Sequence, residues 1–263
     1  HKWKPEYRFS TPETIWDYWG ITAEKAERGR LNPKMFNSFL DGTKPANESA
    51  AISNATGLNA PTHGLTYPSG AIDDIATLMR PRSEGGVLEE AGMVEVISSF
   101  AEDGSMIPND IRQGVWVVVK ATSDYVKNCF EEYMVSTDDS GLYYCNFKRF
   151  HLIGLELGLS VGSVGIRNEA TGASQEFRSD VVAVSKKDLK AGEILDGEGG
   201  YCVAGQLRPT RVSVPMRALP LGLTGDIKLV RDVPVDTILT YDDVEIDESL
   251  NAVKLRRACE AKV

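Results

Sequence analysis

The sequence predicts a mixed α/β (α+β) domain over residues 1–175 and a small all-β domain over residues 176–263. Three observations carry that expectation. Helix-start and helix-stop signals crowd the chain before Gly57, and runs rich in Val, Ile and aromatic residues then alternate with helical patterns. Past a polar, turn-rich stretch between Asn168 and Ser179, short apolar runs separated by Gly, Pro and Asp turns continue to the end.

Element by element, Thr11 with Pro12 and Glu13 is a capped helix start, and the helix should run to Trp19, where Gly20 stops it. Thr22 opens a second helix ended by Gly29. Asn32 with Pro33 repeats the start signal for a helical stretch to Thr56, with Gly57 at the stop position. Pro45 lacks a backbone donor and pushes Lys44 from helical geometry, so a kink or break is expected between Asp41 and Pro45. Asn59–Gly70, rich in Pro, Gly, Thr and Ser, reads as a long ordered loop of the kind that carries function. A helix at Ile72–Met79 follows, then strands at Met93–Phe100 and Gly114–Thr122, a helix at Tyr125–Met134, a strand at Leu142–Phe147 and a helix at His151–Val164.

The chain has 263 residues, 42% hydrophobic and 25% charged, enough for one large domain or two modest ones. Its formal charge of -9, with no basic patch, argues against nucleic acid as a partner. The longest apolar run, Val115 to Val119, is far too short to cross a bilayer, and HKWKPEYRF has no apolar stretch behind it. No membrane partner and a cytoplasmic location are therefore expected. Cys129, Cys145, Cys202 and Cys259 lie far apart and read as free thiols rather than a zinc or redox motif.

Two blocks carry a family resemblance. The segments VVAVSKKDLKAGEILDGEGGYCVAG and LPLGLTGDIKLVRDVPVDTILTYDDVEID place a tight turn before a short Ile-Leu strand twice over. Over Asp180 to Asp247 they resemble the SAF domain, a β-clip module of sialic acid synthases, altronate dehydratases and pilus or flagellar assembly proteins. The stretches RLNPKMFNSFLDGTKPANESAAISNATGL, MRPRSEGGVLEEAGMVEVI and FKRFHLIGLE are similar, in that order, to SAF-bearing homoserine-dehydrogenase-like oxidoreductases, a group that includes 1-deoxy-D-xylulose 5-phosphate reductoisomerase-like enzymes. The resemblance implies hydride transfer with NADP or NAD on a small polar hydroxy-carbonyl substrate, phosphorylated or not, in a homo-oligomer. It also implies a nucleotide-binding Rossmann domain ahead of His1. GLSVGSVG at Gly158–Gly165 lacks the paired first glycines of a dinucleotide turn and lies in a helical pattern, so no cofactor site is expected within this chain. Homoserine dehydrogenase proper and a non-catalytic SAF-bearing binding or assembly protein are the alternatives.

Candidate site residues follow from spacing and from the resemblance. Asp41, Lys44 and Glu48, three and four apart, would share one face of a continuous helix. A lysine among carboxylates can stabilise or protonate a developing alkoxide, and the same spacing also suits a solvated ion-paired face. By resemblance, Lys4 and Lys2 approach the active site. His151, at a predicted helix start with Lys148 and Arg149 before it and Glu156 after it, suits an anionic substrate group. His63 could line the same pocket. Arg80 and Arg82 flank Pro81 and either bind an oxyanion or tie their loop to the core. Asp41, Glu48 and Glu156 could supply oxygen ligands to magnesium or manganese.

Overall fold

A computed structural model describes residues 3–263, so the expectation for Lys2 lies outside the described residues. In chain order the helices are α1 (Ile15–Trp19), α2 (Ala23–Arg28), α3 (Pro33–Leu40), α4 (Thr43–Thr56), α5 (Ile75–Leu78), α6 (Asp124–Glu132), α7 (Leu157–Gly162), α8 (Thr210–Ser213) and α9 (Asn251–Glu260). The strands are β1 (Val115–Lys120), β2 (Tyr143–Lys148), β3 (Ser179–Ser185), β4 (Ile194–Asp196), β5 (Val203–Pro209) and β6 (Gly225–Lys228). The mixed helix and strand content agrees with the expected class. A change of unit falls at Ala173–Ser174, near the expected boundary, but Trp3–Leu65 clusters with Ser174–Val263 and leaves Thr66–Ala173 as the other compact unit.

In the unit 66–173, β1 and β2 form an antiparallel pair, Val115 opposite Lys148 and Lys120 opposite Tyr143. Its core gathers Ile72, Ile75, Met79, Met93, Ile97 and Cys145. Two expectations fail here. Residues 93–100 make no strand, because their neighbour is the loop before Gly70: Ser98 N–H donates to Pro68 O at 2.9 Å, and only isolated bridges reach Ser69 and Met106. The helix expected from His151 begins only at Leu157, since Gly154 at φ +83° turns the chain first. It ends in a π turn, Ser163–Arg167, with Asn168 left-handed.

The other unit joins helices to a β lobe. α1 starts later than expected because Thr11–Thr14 forms a separate turn, Thr14 N–H donating to Thr11 O, and it stops at left-handed Gly20 as read. The lobe pairs β3 with β5 and β4 with β6, both antiparallel, around wholly buried Leu189, Leu195, Val203, Leu219, Leu229 and Leu239. Its two sequence half-motifs bind each other. Leu189 and Val233 exchange backbone hydrogen bonds at 2.8 and 3.0 Å, Asp188 accepts from Val235 N–H at 2.8 Å, and Asp232 accepts from Ala191 N–H at 2.9 Å. The repeat seen in sequence is thus a reciprocal clasp, with an aspartate ahead of each turn holding the other. α4 turns small residues, Thr43, Ala46, Ala50 and Ser53, inward, and packs on β3 and β5. Asn54 at its C-terminal end accepts from Arg178 N–H and Ser179 N–H, each at 2.8 Å. The lobe does not stay all-β. The terminal helix α9 buries only Val253 and is held by Arg256, which bonds Asp180 and Glu260.

Candidate functional site

The α3–α4 corner carries the DGTK run. Asn32 caps α3, accepting from Lys34 N–H at 3.0 Å and Met35 N–H at 3.4 Å, with Pro33 in the first turn. The helix ends at Leu40 and Gly42 adopts φ +87°, a left-handed conformation that a glycine tolerates. α4 restarts at once at Thr43, with Pro45 in its first turn, where a missing donor costs nothing. The break therefore belongs to Gly42 rather than to Pro45, and Lys44 is helical instead of extended.

That break separates the expected trio. Asp41, whose side chain is 0% exposed, accepts from Lys186 Nζ at 2.9 Å and from Thr43 N–H at 3.1 Å. Lys186, 2% exposed, donates also to Gly200 O at 3.0 Å. Burial pushes the Asp41 carboxyl above the ordinary carboxylate value, while Lys186 pulls the other way. Glu48 is exposed, and Lys44 is half-buried with Nζ 5.9 Å from the Phe39 ring centroid. Lys186 is the partner that sequence reasoning missed.

The corner is locked to a glycine loop. Asn37, fully buried, donates through Nδ2 to Gly199 O at 2.9 Å and accepts from Ser10 Oγ at 2.6 Å. Lys34 Nζ donates to Asp196 O at 2.7 Å. Asp196 in turn accepts from Tyr201 N–H at 2.7 Å and Cys202 N–H at 3.1 Å. The buried Cys202 thiol is pushed up to about 12 by burial and by Asp196, which disfavours the reactive thiolate.

The loop 59–70 straddles the two units. His63 is exposed at a turn in which Gly64 N–H donates to Pro61 O at 3.3 Å. In the other unit, Glu95 is buried and accepts from Thr66 N–H at 3.1 Å, Thr66 Oγ1 at 2.8 Å and Val96 N–H at 2.8 Å. Among the described residues no cation pairs with it. Burial raises its pKa and the donors work against that rise. Tyr67 beside it sits at φ +51°, strained for an aromatic residue. A buried carboxyl with a raised pKa can hold a proton that an exposed one would release. In sequence, Glu95 lies within the run 93–100 that reads as a strand, and nothing local singles it out.

Arg80 donates to Thr77 O and to Asp138, each at 2.9 Å, so it ties its loop to the core. Arg82 is exposed. Lys148 pairs with Glu156, whose carboxylate also accepts from Leu152 N–H at 2.7 Å. His151 is exposed in the turn region and starts no helix, so the expected helix-terminus anion site does not form. Lys4 is half-buried at the entry of the turn Pro5–Phe9. Asp41 and Glu156 are committed to lysines, and among the described residues no three metal-ligating side chains cluster.

A dinucleotide would need a parallel sheet and a glycine turn leading into a helix. The sheets among the described residues are two-stranded and antiparallel, and Gly158, Gly162 and Gly165 lie in or beside helical turns with open space where a Cβ would stand. These residues do not fit that cofactor. No helix of the described residues is long and apolar enough to cross a membrane. In comparison with known proteins, the family model of the oxidoreductase DRL catalytic domain matches residues 1–157. No curated protein matches the chain.

Proposed function

The chain belongs to the oxidoreductase DRL family and carries its catalytic domain, and from that premise we propose that it catalyses the substrate half of a nicotinamide-dependent reduction or reductoisomerisation. The substrate is a small polar hydroxy-carbonyl compound, and the family match through the α3–α4 corner is the observation that carries the reading. In this reading NADP or NAD, when bound, supplies or accepts the hydride and is held outside the described residues. The β lobe, with its reciprocal aspartate clasp, is read as a SAF-type module, and the chain as a homoserine-dehydrogenase-like relative.

Lys44 is the group we assign to the reacting oxygen. It stands in the first turn of a 14-residue helix, with a half-buried stem and no ion-pair partner for its ammonium among the described residues. Asp41 does not touch substrate in this reading. It positions the corner from below through Lys186.

The test is nicotinamide oxidation by the complete protein against a panel of hydroxy-carbonyl compounds. Lys44→Met should lower kcat by at least about a hundredfold, since a positioned acid or cation contributes about two to four orders of magnitude. Lys25→Met, an exposed lysine of α2, should leave turnover unchanged. Normal turnover in Lys44→Met would move the assignment to Lys4. Absence of nicotinamide consumption across the panel would sink the reading itself.

A further inference from the structure

Arg208 on β5 is an arginine whose charge the fold does not balance. Its Nη1 donates to Thr62 O at 2.6 Å and its Nη2 to Gln206 Oε1 at 2.8 Å, both neutral acceptors. Its Nε is shielded from solvent without an acceptor. Among the described residues no carboxylate pairs with it, whereas Arg80, Arg231, Arg256 and Arg257 each hold one. Burial draws the guanidinium below its ordinary pKa, and the charge that adds to this is another cation, Arg8. Arg8 pairs with Asp236, but that carboxylate is 60% exposed and its field is screened by water.

A guanidinium taken partly out of water with no counter-charge is unfavourable. The surroundings are nevertheless built to hold it. Gly64 lies at φ +93°, and a Cβ there would stand 3.0 Å from Gln206 Cγ, so the turn 61–64 rests directly on the side chain that orients Arg208. A guanidinium with a shielded, unmatched Nε and a second cation in its field suit an oxyanion, which accepts from guanidinium forks with matched geometry.

We propose that Arg208 and Arg8 form a binding site for a small oxyanion, the phosphate or carboxylate group of a small molecule, beside the turn 61–64. The site stands apart from the redox reading and is tested without turnover. Inorganic phosphate and acetate are titrated calorimetrically into the protein at constant ionic strength set with chloride. At least one should bind saturably, with tighter phosphate binding assigning a phosphoryl ligand and tighter acetate binding a carboxylate ligand. Arg208→Gln should abolish binding and Arg8→Gln should weaken it about tenfold. Arg217→Gln, an exposed arginine on Asp242, should leave binding unchanged. Because Arg208 also holds Thr62, Arg8→Gln carries the test if Arg208→Gln fails to fold. Saturable binding of neither anion by the unmodified protein, or equal binding by Arg8→Gln and Arg217→Gln, would overturn the site.

Discussion

Taking an ammonium and a carboxylate out of water costs several kcal/mol for each, so the Lys186–Asp41 pair persists because each group gains a further hydrogen bond beside the pair itself. Asp41 gains the Thr43 amide and Lys186 gains the Gly200 carbonyl. Lys186→Met should therefore leave an uncompensated buried carboxylate and lower stability by about 3–5 kcal/mol, measured as a fall in the urea midpoint. Lys186→Met with Asp41→Leu should recover most of that loss, since an apolar pair of similar volume removes both desolvation costs. A single variant that unfolds at the normal midpoint would show that the pair is not structural. At this scale the sequence was misleading for a physical reason. Asp41 and Lys44 are neighbours in the chain, but the left-handed Gly42 between them sends one into the core and the other toward the surface. Lys186 lies 145 positions from Asp41 and carries no local sign of burial, because lysine is almost never buried unless paired and its partner here is remote.

Elements announced themselves where their ends were chemical. Asn32 and Thr22 cap as read, and Gly20 and Gly57 stop their helices in left-handed conformations. Elements whose character depends on a distant neighbour were not legible. The apolar run 93–100 lacks a strand partner, and α9, with one buried residue, owes its place to ion pairs rather than to periodicity. The loop between β4 and β5 shows how tightly an irregular segment can be specified. Gly199 is left-handed at φ +70°, and a Cβ there would fall inside the van der Waals radius of the Lys34 carbonyl oxygen. Gly199→Ala should thus meet both a backbone penalty and a backbone clash, and push the loop off α3 with its Asn37 and Lys34 hydrogen bonds. The expected cost exceeds about 2 kcal/mol in thermal or urea unfolding. Gly222→Ala, where a Cβ meets nothing within 4 Å, is the matched control and should cost less than about 1 kcal/mol.

For the whole molecule, the duplicated turn motif was the most legible feature, because a repeat in sequence becomes a pair in space. The domain boundary was half legible. The polar stretch before Ser179 does mark a change of unit near Ala173, but nothing local says that the chain before Thr66 belongs with the part after it. One surface bears on assembly. Between Phe150 and Ile166, Ile153, Leu155, Leu157, Leu159, Val161, Val164 and Ile166 are each more than half exposed, with Leu155 at 82% and Ile166 at 87%. Single exposed apolar residues are normal, whereas a contiguous run of this kind marks an association surface. Glu156, the acidic residue inside the run, is neutralised by Lys148, so charge does not keep copies apart. A second copy of the chain is the occupant expected from the family resemblance, and a symmetric pairing would bury the run on both partners. Sedimentation at micromolar concentration should show a species larger than the 28.8 kDa monomer. Leu159→Glu with Ile166→Glu should shift it toward monomer by placing like charges in the buried face, with little change in the unfolding of the monomer because neither side chain is in a core. A clean monomer for the unmodified chain, or the same sedimentation for both proteins, would remove this face from the assembly and leave its apolar character without a partner of its own kind.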